Sequence, residues 1–196
     1  MAGFRRTVLL EAAMELFSRQ GYHAVGIDDI GAAAGVTGPA VYRHFQNKDA
    51  ILRELCDTAM SQLLTGARRA AGNGDPAHVL DELVAIHAEF GSRHRRLMAV
   101  YVREHRALSP IALRALRRRQ REYEAIWADS LMQVRSDMNT AQARGMITAV
   151  LSLLNAAAHM PAELDNSTVE RLLSTSAAAV LRTGAAEASD VGTAAG

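Results

Sequence analysis

Three consecutive side chains with hydrogen-bond donors stand in the segment GVTGPAVYRHFQNKDAIL, residues 35–52. Tyr42, Arg43 and His44 follow one another directly, so a helix that carries them outward can donate to anions on both of its sides. DNA phosphates border the major groove on both sides in this way. The segment therefore predicts a helix that enters the groove, although an ordinary amphipathic turn explains the helix alone equally well.

The same helix begins with small residues. Thr37 suits an N-cap, and Pro39 suits the first helical turn, where a missing N–H costs nothing. At about 100° per residue, Val41 and Phe45 share a face that can pack inward. The exposed tip is then Gly38-Pro39-Ala40, and small residues allow a helix tip to approach another surface closely.

The surrounding residues complete a helix-turn-helix pattern. A short helix is predicted over residues 27–34, and Gly35 suits its left-handed end. Asn47 is a plausible N-cap for a third helix. Upstream, residues 5–22 repeat apolar residues with helical spacing, and the predicted helix ends at Gly21.

These elements resemble the DNA-binding domain of the TetR family of bacterial transcriptional repressors. The resemblance rests on the spaced motifs AA-x-x-LF, GY, D-I, AGV, VY-x-HF and K-x-x-(I/L)-L over about the first 52 residues. It implies an all-helical homodimer with a three-helix reading head and a C-terminal domain that binds a small effector. It also implies contacts to bases by Thr37, Gly38, Pro39 and Ala40, contacts to phosphates by Tyr42, His44 and Lys48, and either role for Arg43.

One departure from the family pattern affects the start of the second helix. Family members often carry Thr or Ser there, whereas this chain has Val25 and Gly26. Gly26 can still cap the helix, but we expect the side-chain contact to phosphate to be lost.

Composition favours helices and an intracellular protein. Of the 196 residues, 49% are hydrophobic, with Ala and Leu dominant, and the net charge of +1 does not by itself announce a nucleic-acid binder. The lone cysteine excludes an internal disulfide, and the chain lacks a membrane-length apolar run and a signal peptide, so we expect a cytoplasmic location. We predict an all-α fold with a helix-turn-helix domain at residues 1–50, an effector-binding and dimerisation domain at residues 51–183, and a flexible tail at residues 184–196.

Two helical stripes in the middle of the chain predict an effector chamber. One lies on a helix over residues 94–108, and the other on a long helix that follows Pro110. If the two faces meet, they enclose an apolar chamber with a few polar groups. The predicted lining consists of Met98, Tyr101, His105, Arg119, Tyr123 and Trp127. Arg119 either meets an acidic ligand there or pairs at the surface with Glu104 or Glu122.

The last two helices predict the dimer interface, since both are apolar on more than one side. The candidate residues are Ile147, Leu151, Leu154, Leu172 and Val180. Packing within one chain is the alternative, but dimers read palindromic DNA, and the family resemblance implies a four-helix interface built from these helices.

The sequence leaves the effector open. Residues 94–127 look similar to regulators of actinobacterial lipid metabolism that sense acyl-coenzyme A thioesters, and ten arginines but one acid lie between Arg93 and Arg121. We predict a ligand-responsive repressor; the alternatives are a drug-efflux regulator that senses apolar cations and a helical interaction module. We predict no catalytic site and no cofactor. His87 and His94 lack a third ligand, so we do not expect a metal site.

Overall fold

The computed structural model describes residues 2–72 and 74–183, and the regular elements of that part of the chain are helical. The all-α prediction is confirmed, while the predicted tail at residues 184–196 lies outside the described residues. The helices are α1 (Ala2–Gln20), α2 (Ile27–Ala33), α3 (Gly38–Val41), α4 (Lys48–Ala71), α5 (Pro76–Arg93), α6 (Arg95–Glu104), α7 (Pro110–Val134), α8 (Thr140–Asn155) and α9 (Asn166–Arg182). Short 3₁₀ turns follow α6 at His105–Ala107 and α8 at Ala156–His159.

Three helices, α4, α8 and α9, begin at a residue whose side chain accepts from a backbone N–H of the first turn. Asn47 Oδ1 accepts from the backbone of Ala50 at 2.8 Å, as predicted for the start of α4. At α9 the N-cap is Asp165. Its carboxylate accepts from the Thr168 N–H at 2.8 Å, and it also binds neighbouring hydroxyls, which together lower the pKa of Asp165.

Two glycines allow α2 and α3 to approach closely. A Cβ on Gly31 would lie 3.0 Å from the Val36 carbonyl oxygen, and one on Gly38 would overlap the Asp28 carboxylate. Gly35 turns the chain between the helices with φ of +69°, a conformation that favours glycine. α3 is also shorter than predicted, since regular helix ends at Val41 and turns continue to His44.

A single apolar core runs through the described chain from Leu9 in α1 to Leu181 in α9. α4 packs on α5, α6 and α7, and α6 packs in turn on α1. α4 is one continuous helix, so the predicted domain boundary near residue 50 falls within it and stays a prediction. No described helix has the length and apolar character needed to cross a membrane.

Three of the residues predicted at the dimer interface are buried in their own protomer. Ile147 and Leu154 are 1% and 0% exposed, and Leu151 is 9% exposed. Their apolar stripe packs on the body of the same chain, so the interface prediction is corrected for these three. Leu172, by contrast, is 46% exposed, and Val180 is half-buried, so both stay predicted interface residues.

Candidate nucleic-acid interface and effector chamber

The start of α3 presents a small exposed tip beside donor side chains. Thr37 and Pro39 are exposed, Ala40 is half-buried, and the exposed fraction of Tyr42 is 57%. Arg43 is exposed as well, and its guanidinium has no hydrogen bond or ion pair with the rest of the described chain. This surface has the form expected of a helix that meets DNA, and its contacts to bases and phosphates stay predictions.

Gly38 differs from the rest of the predicted tip. It is buried, and a side chain added there would point at Asp28 of α2 rather than away from the protein. A side chain at residue 38 would therefore not extend outward from the tip, and the base contact of Gly38 stays a prediction. The absence of a side chain at residue 38 thus leaves room for the Asp28 carboxylate of α2.

Arg6 fixes the far end of the reading segment. Its Nη1 donates to the His44 carbonyl at 2.7 Å, and its guanidinium lies 4.2 Å above the Phe45 ring and binds the Glu54 carboxylate. One side chain thus connects α1, the end of the α3 turns and α4. Sequence reasoning missed it, because no local pattern predicts a contact between residues 38 positions apart.

Lys48 is engaged inside the head. Its Nζ donates to the carbonyls of Tyr22 and Val25, each at 2.8 Å, and lies 4.3 Å from the Tyr22 ring centroid. Because an ammonium group has three hydrogens, one remains for a phosphate. The residue therefore holds the start of α4 against the chain before α2, and its predicted phosphate contact depends on that third hydrogen.

A chamber of about 200 Å³ lies between α4, α5, α6, α7 and α8. It is lined by Met60, Leu63, His87, Tyr101, Val102, His105, Gln120, Tyr123, Glu124, Thr148, Leu151, Ser152 and Asn155. Apolar walls with a few polar groups are the usual composition of a ligand pocket. The structure thus brings together three predicted effector residues, Tyr101, His105 and Tyr123.

The deepest polar group of the chamber is His87, which is 2% exposed. Its Nδ1 is 3.0 Å from the Tyr123 hydroxyl, and its Nε2 is 3.3 Å from Asn155 Oδ1. Burial lowers the pKa of His87 to about 4, so the imidazole is neutral at pH 7. Since Oδ1 can only accept, Nε2 donates to Asn155 and the Tyr123 hydroxyl donates to Nδ1.

A second polar group of the chamber surrounds Tyr101. Gln120 Nε2 donates to the Tyr101 hydroxyl at 2.7 Å, and that hydroxyl donates to the Met60 sulfur at 3.5 Å. Burial raises the pKa of Tyr101 to about 12, so the phenol stays neutral. His105 Nδ1 lies 2.9 Å from the Tyr101 carbonyl, which leaves Nε2 available to the chamber.

The other three predicted effector residues lie outside the chamber. Met98 and Trp127 are fully buried in the core, and the Trp127 ring meets the Tyr123 ring edge-on at 6.1 Å. Arg119 turns away, because its guanidinium binds Asp57 Oδ1 at 3.2 Å and Ser61 Oγ at 2.5 Å. Of the two alternatives for Arg119, the structure shows pairing near the surface, with Asp57 as the partner instead of Glu104 or Glu122.

Six polar residues that line the chamber were missed as site residues: His87, Gln120, Glu124, Thr148, Ser152 and Asn155. His87, Gln120 and Asn155 come from α5, α7 and the last residue of α8. One of these residues could have been found from the sequence, because His87 is a polar residue within the apolar stripe of α5. His94 is exposed at the end of α5 and packs beside Phe90.

Comparison with known proteins agrees with this architecture. Residues 9–55 match the family model described as bacterial regulatory proteins, tetR family, and residues 73–159 match the tetracyclin repressor-like C-terminal domain. A helix-turn-helix head on a helical body of this kind defines a transcriptional regulator rather than an enzyme. The chain belongs to the TetR family.

Individual relatives match parts of the chain or its fold. The transcriptional activator FasR of Mycolicibacterium smegmatis is 41% identical over 66 residues, 34% of this chain and 30% of FasR. The chain spans less than half the length of the curated relatives that match it first. A TetR-family regulator of Bordetella parapertussis superposes with a TM-score of 0.80 at 25% identity, covering 92% of this chain and 95% of its own. AibR, solved with isovaleryl coenzyme A and operator DNA, shares the fold with a TM-score of 0.75 at 17% identity, covering 88% and 97%.

Substitution of the two cations near the head should separate their roles. Arg43→Met should reduce the salt slope of DNA binding by about one unit and leave thermal unfolding unchanged, because its side chain is exposed. Lys48→Met should also lower the unfolding temperature, since two carbonyls lose their donor at a cost of about 1–3 kcal/mol. Circular dichroism and fluorescence anisotropy at several salt concentrations measure the two effects. If Lys48→Met unfolded at the same temperature as the parent protein, the internal role of Lys48 would be contradicted.

Acid should destabilise the protein through His87. The pKa of His87 is about 4 in the folded chain against an ordinary 6.5. The contribution of the neutral ring to the free energy of unfolding is therefore complete above pH 6.5 and is lost progressively as the pH falls toward 4. Between about pH 7 and pH 4.5, the free energy of unfolding should fall by about 2–3 kcal/mol less in His87→Gln than in the parent. Urea unfolding at each pH measures this, with His94→Gln as the exposed control. An identical acid sensitivity of His87→Gln and parent would refute the assignment.

Proposed function

We propose that this protein is a ligand-responsive repressor, which binds a palindromic operator as a homodimer and releases it when an effector fills the chamber. The observation that supports this most directly is the position of α6. On one side, Tyr101, Val102 and His105 at its end face the chamber. On the other side, α6 packs on α1 of the reading head.

Polar contacts from α6 to the head give the proposed signal a route. Arg103 Nη1 donates to the Ser18 carbonyl at 3.0 Å, and Arg96 Nε lies 2.8 Å from the Glu15 carboxylate. The Ser109 N–H, just before α7, donates to Asp49 at 2.9 Å, close to the start of α4. An effector that displaces α6 would shift its contacts with α1. Through the segment that follows α6, it would also shift the contact of Ser109 with α4. Both shifts would change the spacing of the two heads in the dimer.

The exposed faces of α8 and α9 support the proposed dimer. Leu172 is exposed, and Ser176 and Ala179 follow it on the same side of α9 with Val180 beside them. On α8, a Cβ at Gly145 would meet nothing within 4 Å, so this face of the helix is open. Flat faces of small and apolar residues allow helices of two protomers to pack closely, so we place the interface there.

We further propose that the effector is an acyl-coenzyme A thioester whose acyl group enters the chamber. The fold shared with AibR, which was solved with isovaleryl coenzyme A, supports this choice. A second candidate class is the apolar cation, because Glu124 lines the chamber together with the rings of Tyr101 and Tyr123. Because its operator would lie on the chromosome, the protein would act in the cytoplasm.

Selection of duplexes from a random library by the full chain tests DNA recognition. We expect a palindrome with half-site centres about 10 base pairs apart, or a multiple of that spacing, since each head reads one half-site. A reporter behind the selected sequence should fall when the protein is produced. A rise in the reporter would make the protein an activator, as FasR is, and selection of no sequence would refute operator binding.

Leu172→Arg tests the dimer. A charge on the exposed face of α9 should give monomers in sedimentation and should abolish operator binding, because half-sites ~34–36 Å apart need two linked heads. Ile111→Arg, at a residue 76% exposed on α7, is the matched control and should stay dimeric. Leu154 is unsuitable, because a charge there would enter the protomer core. A dimeric Leu172→Arg protein would place the interface elsewhere.

A further inference from the structure

A groove of about 330 Å³ opens beside the chamber, between α7 and α8. Its lining consists of Arg121, Glu124, Ala125, Ala128, Arg144, Ile147 and Thr148. Glu124 and Thr148 also line the chamber, so the two cavities adjoin at these residues. A ligand that extends beyond the chamber on this side would therefore enter the groove.

Two guanidinium groups face the groove from opposite walls. Arg121 comes from α7 and Arg144 from α8, and both are exposed. Neither forms an ion pair with the residues that the structure describes. Other arginines nearby are already engaged: Arg119 binds Asp57, and Arg68 binds Glu122.

The surroundings of the groove strengthen its positive field. Arg117 and Arg118 are exposed on the same part of α7, and neither has an ion pair within the described chain. Glu122 is held by Arg68, and Glu124 is the single acid among the described lining residues of the groove. Four guanidinium groups against one uncompensated carboxylate favour an anion.

We propose that the groove binds the phosphorylated head of an amphipathic ligand whose apolar tail fills the chamber. Two guanidinium groups match the oxygens of a phosphate or diphosphate through charge-assisted hydrogen bonds. No Arg or Lys lines the chamber among the described residues, so an anionic head inside it would lack a partner and would be costly to bury. The head therefore stays in the groove while the tail enters.

The size of the chamber limits the tail. A cavity of about 150 Å³ holds benzene, so 200 Å³ accommodates about six to eight carbon atoms. Two of the chamber's polar side chains, His87 and Tyr101, are uncharged at pH 7, and they suit a carbonyl better than a carboxylate. The inference rests on the proposed function to the extent that both place the effector in this chamber.

Three probes separate the head from the tail in calorimetric titrations of the full chain. Hexanoyl-coenzyme A carries both parts, coenzyme A carries the head alone, and S-hexanoyl-N-acetylcysteamine carries the same acyl thioester without a phosphate. We expect hexanoyl-coenzyme A to bind at least about tenfold more tightly than the neutral thioester, because charge-assisted hydrogen bonds are strong. Coenzyme A alone should bind weakly.

Methionine variants assign that preference to the groove. Arg121→Met and Arg144→Met, alone and together, should weaken hexanoyl-coenzyme A toward the affinity of the neutral thioester, about tenfold for each arginine, and leave the neutral thioester unchanged. Arg118→Met is the matched control, since it removes an exposed cation from the same helix outside the groove lining. Because Arg118 contributes only a solvent-screened field from outside the lining, the affinity for hexanoyl-coenzyme A should fall by no more than about twofold, and that for the neutral thioester should be unchanged.

Several results would overturn the assignment: equal affinity of the parent for both thioesters, no loss in the double variant, or no binding of any of the three probes. Gel-shift titrations of the same variants keep this failure distinct from failure of the regulator proposal. Arg121 and Arg144 lie outside the reading head, so the double variant should bind the selected operator as the parent does. Operator binding without thioester binding would leave the regulator in place and remove the phosphate groove.

Discussion

One uninterrupted helix, α4, connects the reading head to the chamber. Asn47 caps its first turn, and Lys48 ties that turn to the chain before α2. About three turns later, Met60 and Leu63 of the same helix line the chamber. Because a packed helix moves as a unit, the position of the head depends on the packing around those two residues. The contacts of α6 with α1 add a second attachment, so the head has two supports.

The many arginines divide into two groups with different physical roles. Some bind backbone carbonyls in other parts of the chain: Arg6 binds His44, Arg103 binds Ser18, and Arg95 binds Pro161. The Pro161 carbonyl accepts from the Leu164 N–H as well, so Arg95 adds a second hydrogen bond there. The remainder, which include Arg114, Arg117, Arg118 and Arg121 on the exposed side of α7, bind no backbone carbonyl in the described chain. A count of cations in the sequence cannot separate these groups, since the distinction depends on which carbonyls lie within reach.

The reading head could be predicted from sequence because its signals are local. The cap at Asn47 and the left-handed turn at Gly35 depend on neighbouring residues and appear where expected. The chamber depends on tertiary packing, and there the predictions were less accurate. Arg119 and Gln120 differ by 100° around α7, so a small error in helix phase exchanged the residue at the chamber for the one at the surface. Apolar spacing likewise could not tell whether Leu154 faces its own chain or a partner, because both environments exclude water.

The contact between α2 and α3 bears on how such a regulator acquires a new target during evolution. Gly31 and Gly38 provide the close approach of the two helices, whereas Thr37, Pro39 and Ala40 lie at the accessible tip. The residues at which α2 and α3 pack together are thus different from those whose side chains are accessible. Exchanges at the accessible positions alter the outward surface with little cost to folding. Single substitutions at the accessible positions are therefore compatible with the fold, whereas a side chain at Gly31 would meet the backbone of Val36 and Gly38.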